Sequence, residues 1–268
     1  MKKIQRCSPQ NVNGEAGCHI MKDNQSVQPF PTLGLLADKA HANPALADLE
    51  SSIGNISGEA RSYIVDTVRK KSDENGFEQR GSAPNFQGDV LTLCTCKHQM
   101  RSRLSVKEWE NDVWIAGFTS RTIHARKHWL FFLAKVKSAH DSHCDLWNSN
   151  SIGDDALNAK AAHTHYFGDI FKPKTPIPTN HARFTPSRYV TPKTHAHRTE
   201  SDPDGWHNDI NYRHSLTDRR APLLVADPDL TFLWDKPLIC YLPQKHCRDY
   251  HTWTSIQDLI KKLRQVKS

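Results

Sequence analysis

Two apolar runs constrain this chain more than anything else in it. Asn111-Asp-Val-Trp-Ile-Ala-Gly-Phe118 and Trp129-Leu-Phe-Phe-Leu-Ala-Lys-Val136 lie ten residues apart, with a basic turn between them. Each is far shorter than the roughly 18 apolar residues a membrane helix needs. Each is also too continuously apolar for a strand with one wet face. Short apolar runs bounded by turn residues read as adjacent strands buried on both sides, lining a barrel or the core of a packed sheet.

Other segments carry the same texture. Arg61–Val68 alternates and is β-rich, and Asp89–Cys96 reads as a second strand. The charged, Gly-bearing stretch 70–85 between them is expected to be a loop. His140–Trp147 reads as a short helix. Ala221–Ala226, Leu230–Trp234 and Pro237–Tyr241 read as short strands separated by Asp/Pro turns. At the end, Ser255 with Asp258 makes a capping signal before the stripe Ile256, Leu259, Ile260, Leu263 and Val266. The expected fold is α+β and mainly β: a bent sheet or small barrel with long loops and a C-terminal amphipathic helix. A doubly wound nucleotide fold is excluded, since neither Gly-x-Gly-x-x-Gly nor Gly-x-x-x-x-Gly-Lys-Ser/Thr occurs.

Residues 1–58, rich in Asn, Gln, Ser, Ala and Gly, read as a partly ordered N-terminal extension able to dock a protein partner. Residues 59–268 then form the domain. The N-terminus begins Met-Lys-Lys and continues polar, without the apolar core of an export signal. Seven cysteines at no disulfide or zinc-finger spacing fit a reducing, cytoplasmic setting. Cys94 and Cys96 read as small buried side chains. No membrane segment and no cofactor are expected.

Charge is unevenly placed. The chain carries Lys+Arg 36 against Asp+Glu 29, a formal net charge of +7, and 16 His. The first sixty residues contribute none of the excess. Between Ile170 and Thr199 there is no acidic residue, while Lys172, Lys174, Arg183, Arg188, Lys193 and Arg198 all fall there. Pro173, Pro176, Pro178, Pro186 and Pro192 keep that stretch from being a helix or an interior strand. A stiffened basic loop with Phe171, Phe184 and Tyr189 interleaved has the composition to meet phosphate while stacking on bases. The plain alternative is a solvated loop. Lys97, Arg101 and Arg103, and the turn carrying Arg121, His124, Arg126 and Lys127, add two smaller basic clusters.

The segment after the loop is dense in titratable groups. Asp204, His207, Asp209 and His214 are the right types for acid–base work. Trp206 and Tyr212, with Trp114 from the first apolar run, are candidate walls for a base. A polar loop that merely orders its neighbours is the bland reading. His163-x-His165 and His195-x-His197 are each one-faced pairs in extended chain, but sequence places no carboxylate or Cys beside either, so no metal set is assembled.

The order of motifs resembles the nucleotide modification associated domain families, found beside systems that modify DNA bases or restrict modified DNA. The resemblance rests on Leu91–Lys97 with Arg101, Asp112-Val-Trp-Ile-Ala-Gly117, Leu130–Val136, Tyr166–Ile170, Trp206–His214 and Leu224–Pro237. It covers most of residues 60 to 250 and none of 1–58. By analogy of fold, the strand–Asp-Val-Trp-Ile-Ala-Gly–strand core is also similar to PUA-like barrels, including the EVE group, that hold a modified or flipped base. The resemblance implies a binding module for nucleic acid or modified nucleotides, with DNA, RNA or nucleotide as partner. Phosphate would fall on Lys97, Arg101, Arg121, Lys172, Arg183, Arg188 and Arg198, and a base against Trp114, Trp206 or Tyr212. The alternative is an enzyme on nucleotides or bases using Asp204, His207, Asp209 and His214.

Overall fold

The computed structural model describes residues 28–30, 41–71, 76–79, 84–120, 127–161, 170–174, 181–192, 195, 197–241 and 250–266. The chain is α+β, mainly strands, around one curled, half-barrel sheet. Its strands in chain order are β1 (Gln28–Phe30), β2 (Ala60–Val65), β3 (Val68–Lys70), β4 (Phe77–Gln79), β5 (Thr92–Leu93), β6 (Trp114–Thr119), β7 (His128–His140), β8 (Leu223–Leu233), β9 (Ile239–Tyr241), β10 (His251–Trp253) and β11 (Leu263–Gln265). The main path runs β10-β2-β6-β7-β8-β5, with β9 also on β7 and β11 on β9; β1, β4 and β3 form a small separate sheet. The helices are α1 (Leu46–Ile53), α2 (His98–Arg101), α3 (Val106–Trp109), α4 (His143–Trp147), α5 (Asp154–Ala161), α6 (His207–Asn211) and α7 (Ile256–Ile260).

The two apolar runs are neighbouring antiparallel strands, with Ile115 opposite Ala134 and Ala116 opposite Leu133. Every residue of β6 is buried, as are the first seven of β7. Their continuous apolarity is therefore the mark of a sheet covered on both faces. Gly117 permits that cover: a Cβ there would lie 2.1 Å from the Phe132 ring and 2.7 Å from Phe131.

Several elements differ in extent from expectation. The stretch 89–96 pairs only at Thr92 and Leu93, against Val225 and Leu224. The stretch 70–85 holds β4, which pairs with β1 and β3. The two strands expected over 221–234 are one long strand. Its register against β7 slips where Asp227-Pro-Asp229 bulges outward, which spares Pro228 a ladder donor it lacks.

The C-terminal helix is capped as read, with the Asp258 N–H donating to the Ser255 hydroxyl at 3.1 Å. It ends at Ile260, however, and Leu263 is buried from a strand paired to β9. Burial at i, i+3, i+4 and i+7 served a short helix followed by a strand. Part of the expected N-terminal extension belongs to the core, since α1 buries Leu49 and Ile53 against it. Cys94, Cys96, Cys144 and Cys240 are buried, and none of these four is in a disulfide. Among the described residues no helix is long and apolar enough to cross a membrane.

Candidate functional site

The polar chemistry of the chain concentrates beyond the β5–β8 edge, where α2, α4, α6 and the 170–199 loop meet. Asp209, on α6, is 5% exposed. His195 Nε2 lies 2.8 Å from its Oδ2, and His197 Nδ1 lies 2.7 Å from Oδ2 and 2.9 Å from Oδ1. His98 Nε2, from the first turn of α2, stands 3.3 Å from Oδ1 but makes no hydrogen bond there. Three imidazoles thus surround one buried carboxylate.

Local backbone choices make this possible. Lys97 adopts the left-handed conformation, φ 58°, and turns the chain from β5 into α2, which aims His98 inward. Arg198 N–H bonds the His195 carbonyl at 3.0 Å, so the His-x-His pair sits in a tight turn. Gly205 lets the start of α6 press on that turn: a Cβ there would lie 2.0 Å from the His197 carbonyl oxygen.

An aromatic layer seals the centre. The Phe171 ring meets His195 edge-on at 5.2 Å and His143 at 4.8 Å, and Trp206 packs on Phe171 at 5.3 Å. Tyr212 stacks on His98 at 4.5 Å and 14°. This packing sets the charge states. Burial, reinforced by the Arg101 guanidinium and opposed by Asp209, pushes His98 down to about 3, so its ring is neutral at pH 7. Burial acts to raise the Asp209 carboxyl, but His197 and His195 outweigh it and hold it well below the usual carboxylate range.

A narrow pocket of about 10 Å³, room for one water-sized body, reaches Asp209 past His143, Tyr212, Phe184 and Arg220. The Arg220 guanidinium lies 3.3 Å from the Phe184 ring centre. Burial lowers its pKa, and the nearby guanidiniums of Arg213 and Arg183 add in the same direction. Arg183 and Arg213 are themselves paired with Asp145 and Asp218.

Of the four acid–base candidates, only Asp209 reaches this centre. His207 turns outward toward the exposed Asp204, at 3.6 Å. His214 is buried and accepts the Leu216 N–H, holding the turn before β8. The anion candidates also divide. Arg101 is 1% exposed, its Nε donating to Cys96 O at 2.7 Å and its Nη1 to Ala221 O at 2.9 Å and Pro222 O at 2.7 Å, so it ties α2 to β8 rather than facing a phosphate. Lys97 lies half-buried over Tyr63. Arg183 is paired with Asp145 at 3.0 Å, Lys172 lies over Trp147, and Arg188 is exposed. Arg198 is half-buried beside His197. Arg121, His163, His165 and Lys193 lie outside the described residues.

Two aromatic candidates are core residues. Trp114 is 0% and Trp206 2% exposed, which leaves neither a face for a base. Tyr212 alone lines the pocket. The acid-free loop partly solves its charge problem by borrowing a carboxylate, Asp145, from α4. It also folds back on itself, with Lys174 N–H on Arg188 O and Val190 N–H on Lys172 O, both at 2.9 Å.

Sequence reasoning noted His195-x-His197 and Asp209 separately and missed His98, His143 and Arg220. For the pair and Asp209 the signal was their shared nearness to the Gly205 turn. For His98 no local signal exists. No family model, curated protein or solved structure matches this chain.

Proposed function

We propose that the protein is an enzyme acting on nucleotides or nucleic-acid bases, with Asp209 and its three imidazoles as the reacting centre. One observation carries the reading: a carboxylate buried among imidazoles and held ionised by them lines a small pocket together with the half-buried guanidinium of Arg220. Perturbed, buried titratable groups that open to a cleft are the usual mark of a working site rather than of a scaffold. Arg220, at the rim, is the group to meet a substrate phosphate. Tyr212 is the one of the three aromatics that lines the pocket; at about 10 Å³ the pocket holds a water and not a base, so a base would lie outside it.

The nucleotide class comes from the resemblance to nucleotide modification associated domains and from the basic segment beside the pocket. A pure binding module is less well supported, because two of the three aromatics proposed to hold a base are sealed in the core.

The test incubates the full chain with nucleotide pools and with duplexes carrying plain and modified cytosine, and reads products by mass spectrometry. Conversion by the wild type that disappears in Asp209→Asn supports the reading. Binding that weakens with salt, with no product, would return the protein to the binding class. Conversion that survives Asp209→Asn refutes the assignment.

A further inference from the structure

We infer that His195, His197 and Asp209, with His98 as fourth ligand, form a binding site for a zinc-class divalent metal ion. The inference deepens the reading above, since it concerns the same centre. It needs no knowledge of the substrate.

The geometry is that of a ligand set. One ligand atom from each of His195, His197 and Asp209 lies within 4.8 Å of the others, and no other trio of His, Cys, Asp or Glu among the described residues converges in this way. Around a tetrahedral ion with metal–ligand bonds of about 2.0–2.1 Å, neighbouring ligand atoms lie about 3.3 Å apart. Here His195 and His197 lie 2.8 and 2.7 Å from Asp209 Oδ2, and His98, outside that trio, lies 3.3 Å from the other oxygen, Oδ1. A small expansion of the cluster would admit an ion.

His98 supplies the independent observation. Its side chain is 6% exposed, yet Nε2, 3.3 Å from Asp209 Oδ1, forms no hydrogen bond. In a purely hydrogen-bonded cluster that nitrogen would donate to the carboxylate. A buried ring nitrogen this close to the carboxylate and making no hydrogen bond is available to coordinate. Burying an imidazole nitrogen without a hydrogen bond is unfavourable, a penalty that coordination removes.

The donor types choose the metal. Three imidazoles and one carboxylate suit zinc, iron(II), cobalt(II) or nickel(II), and suit magnesium or calcium poorly, because those ions take oxygen ligands. The adjoining pocket has room for one water on the ion. The Phe171 and Trp206 layer keeps bulk solvent away. An ion so placed would act as a Lewis acid toward an oxygen entering past Arg220.

The experiment strips the full-length protein with a chelator and titrates it calorimetrically with Zn²⁺ and separately with Mg²⁺. The Co²⁺-loaded form is then read by visible absorption. The expected result is one Zn²⁺ per chain, no comparable Mg²⁺ uptake, and a Co²⁺ spectrum of low-symmetry nitrogen–oxygen coordination. His197→Gln is the primary variant, since His197 is the most exposed ligand and its loss perturbs packing least. It should weaken Zn²⁺ binding by more than the roughly 10–100-fold that losing an outer partner costs. His98→Gln should weaken binding and change the Co²⁺ spectrum, while His251→Ala, on β10, should do neither.

A natively folded chain that takes up no Zn²⁺ overturns the inference, as does unchanged uptake in His197→Gln. Nucleotide conversion by a protein that takes up no Zn²⁺ overturns the metal and leaves the proposed function standing. Stoichiometric Zn²⁺ uptake without any nucleotide binding supports the metal and overturns the proposed function.

Discussion

Arg101→Met separates two roles that a buried cation beside a candidate site can have. Methionine keeps the unbranched apolar stem and removes the guanidinium. Lost with it are the bond from Nε to Cys96 O at 2.7 Å and those from Nη1 to Ala221 O at 2.9 Å and Pro222 O at 2.7 Å. The three carbonyls stay in place, in a region where Arg101 itself is only 1% exposed, and methionine offers them no donor. A net hydrogen bond to a charged group contributes about 1.5–3 kcal/mol, and the relief of no longer burying the charge offsets part of the sum. The expected loss is about 3–5 kcal/mol, or about 10 °C in Tm for a domain of this size. Urea unfolding followed by tryptophan fluorescence measures it, with the slope against urea unchanged. If Arg101 were instead a phosphate contact, stability would move by no more than about 0.5 kcal/mol. Nucleic-acid binding would then lose about one unit of salt slope. A loss below about 1 kcal/mol refutes the clamp, and a changed salt slope at intact stability would restore the phosphate role.

Two further outcomes follow from other parts of the fold. Gly117→Ala places a methyl 2.1 Å from the Phe132 ring in a sheet covered on both faces, so a destabilisation of about 1–3 kcal/mol or more is expected in the same urea assay. Ser105→Ala removes one half of the reciprocal capping pair of α3, the bond from the Glu108 N–H to the Ser105 hydroxyl, and keeps the other, from the Ser105 N–H to the Glu108 carboxylate. Those bonds, chiefly the one from the Ser105 backbone, hold Glu108 below its ordinary pKa. A depressed carboxylate stabilises above its unfolded pKa and ceases to as pH falls through the folded one. Wild type and Ser105→Ala should therefore both lose this stabilisation in acid, while the gap between them, about 1 kcal/mol for a lost N-cap, stays largely unchanged. A gap that closes in acid would show that the hydroxyl rather than the backbone N–H holds the carboxylate.

The elements legible in the sequence are those whose cause is local. The Trp114 and Trp129 runs announced a doubly covered pair because no wet face could tolerate them. Ser255 announced a helix start because a hydroxyl satisfies a donor only three residues away. Elements were misjudged where one pattern serves two structures. Leu263 fits a helical stripe and a strand alike, and pairing with β9 decided between them. Asp227-Pro-Asp229 looked like a turn because a bulge uses the same residues. Charge was legible as composition but not as address: Arg183 and Arg101 count equally toward +7, yet one meets Asp145 and the other three buried carbonyls.

What the sequence determined by itself was a mainly β chain with its apolar pair at the centre, the start of its last helix, and one stretch in which basic charge has no local acid to answer it. Only the tertiary structure decided that Asp209 meets His195 and His197 through the Gly205 turn, that His98 arrives from a different element, and that Trp114 and Trp206 are core. The physical reason is range. Periodicity and capping act over a few residues, whereas a ligand set or a buried clamp is made by side chains whose nearness depends on how the whole sheet curls.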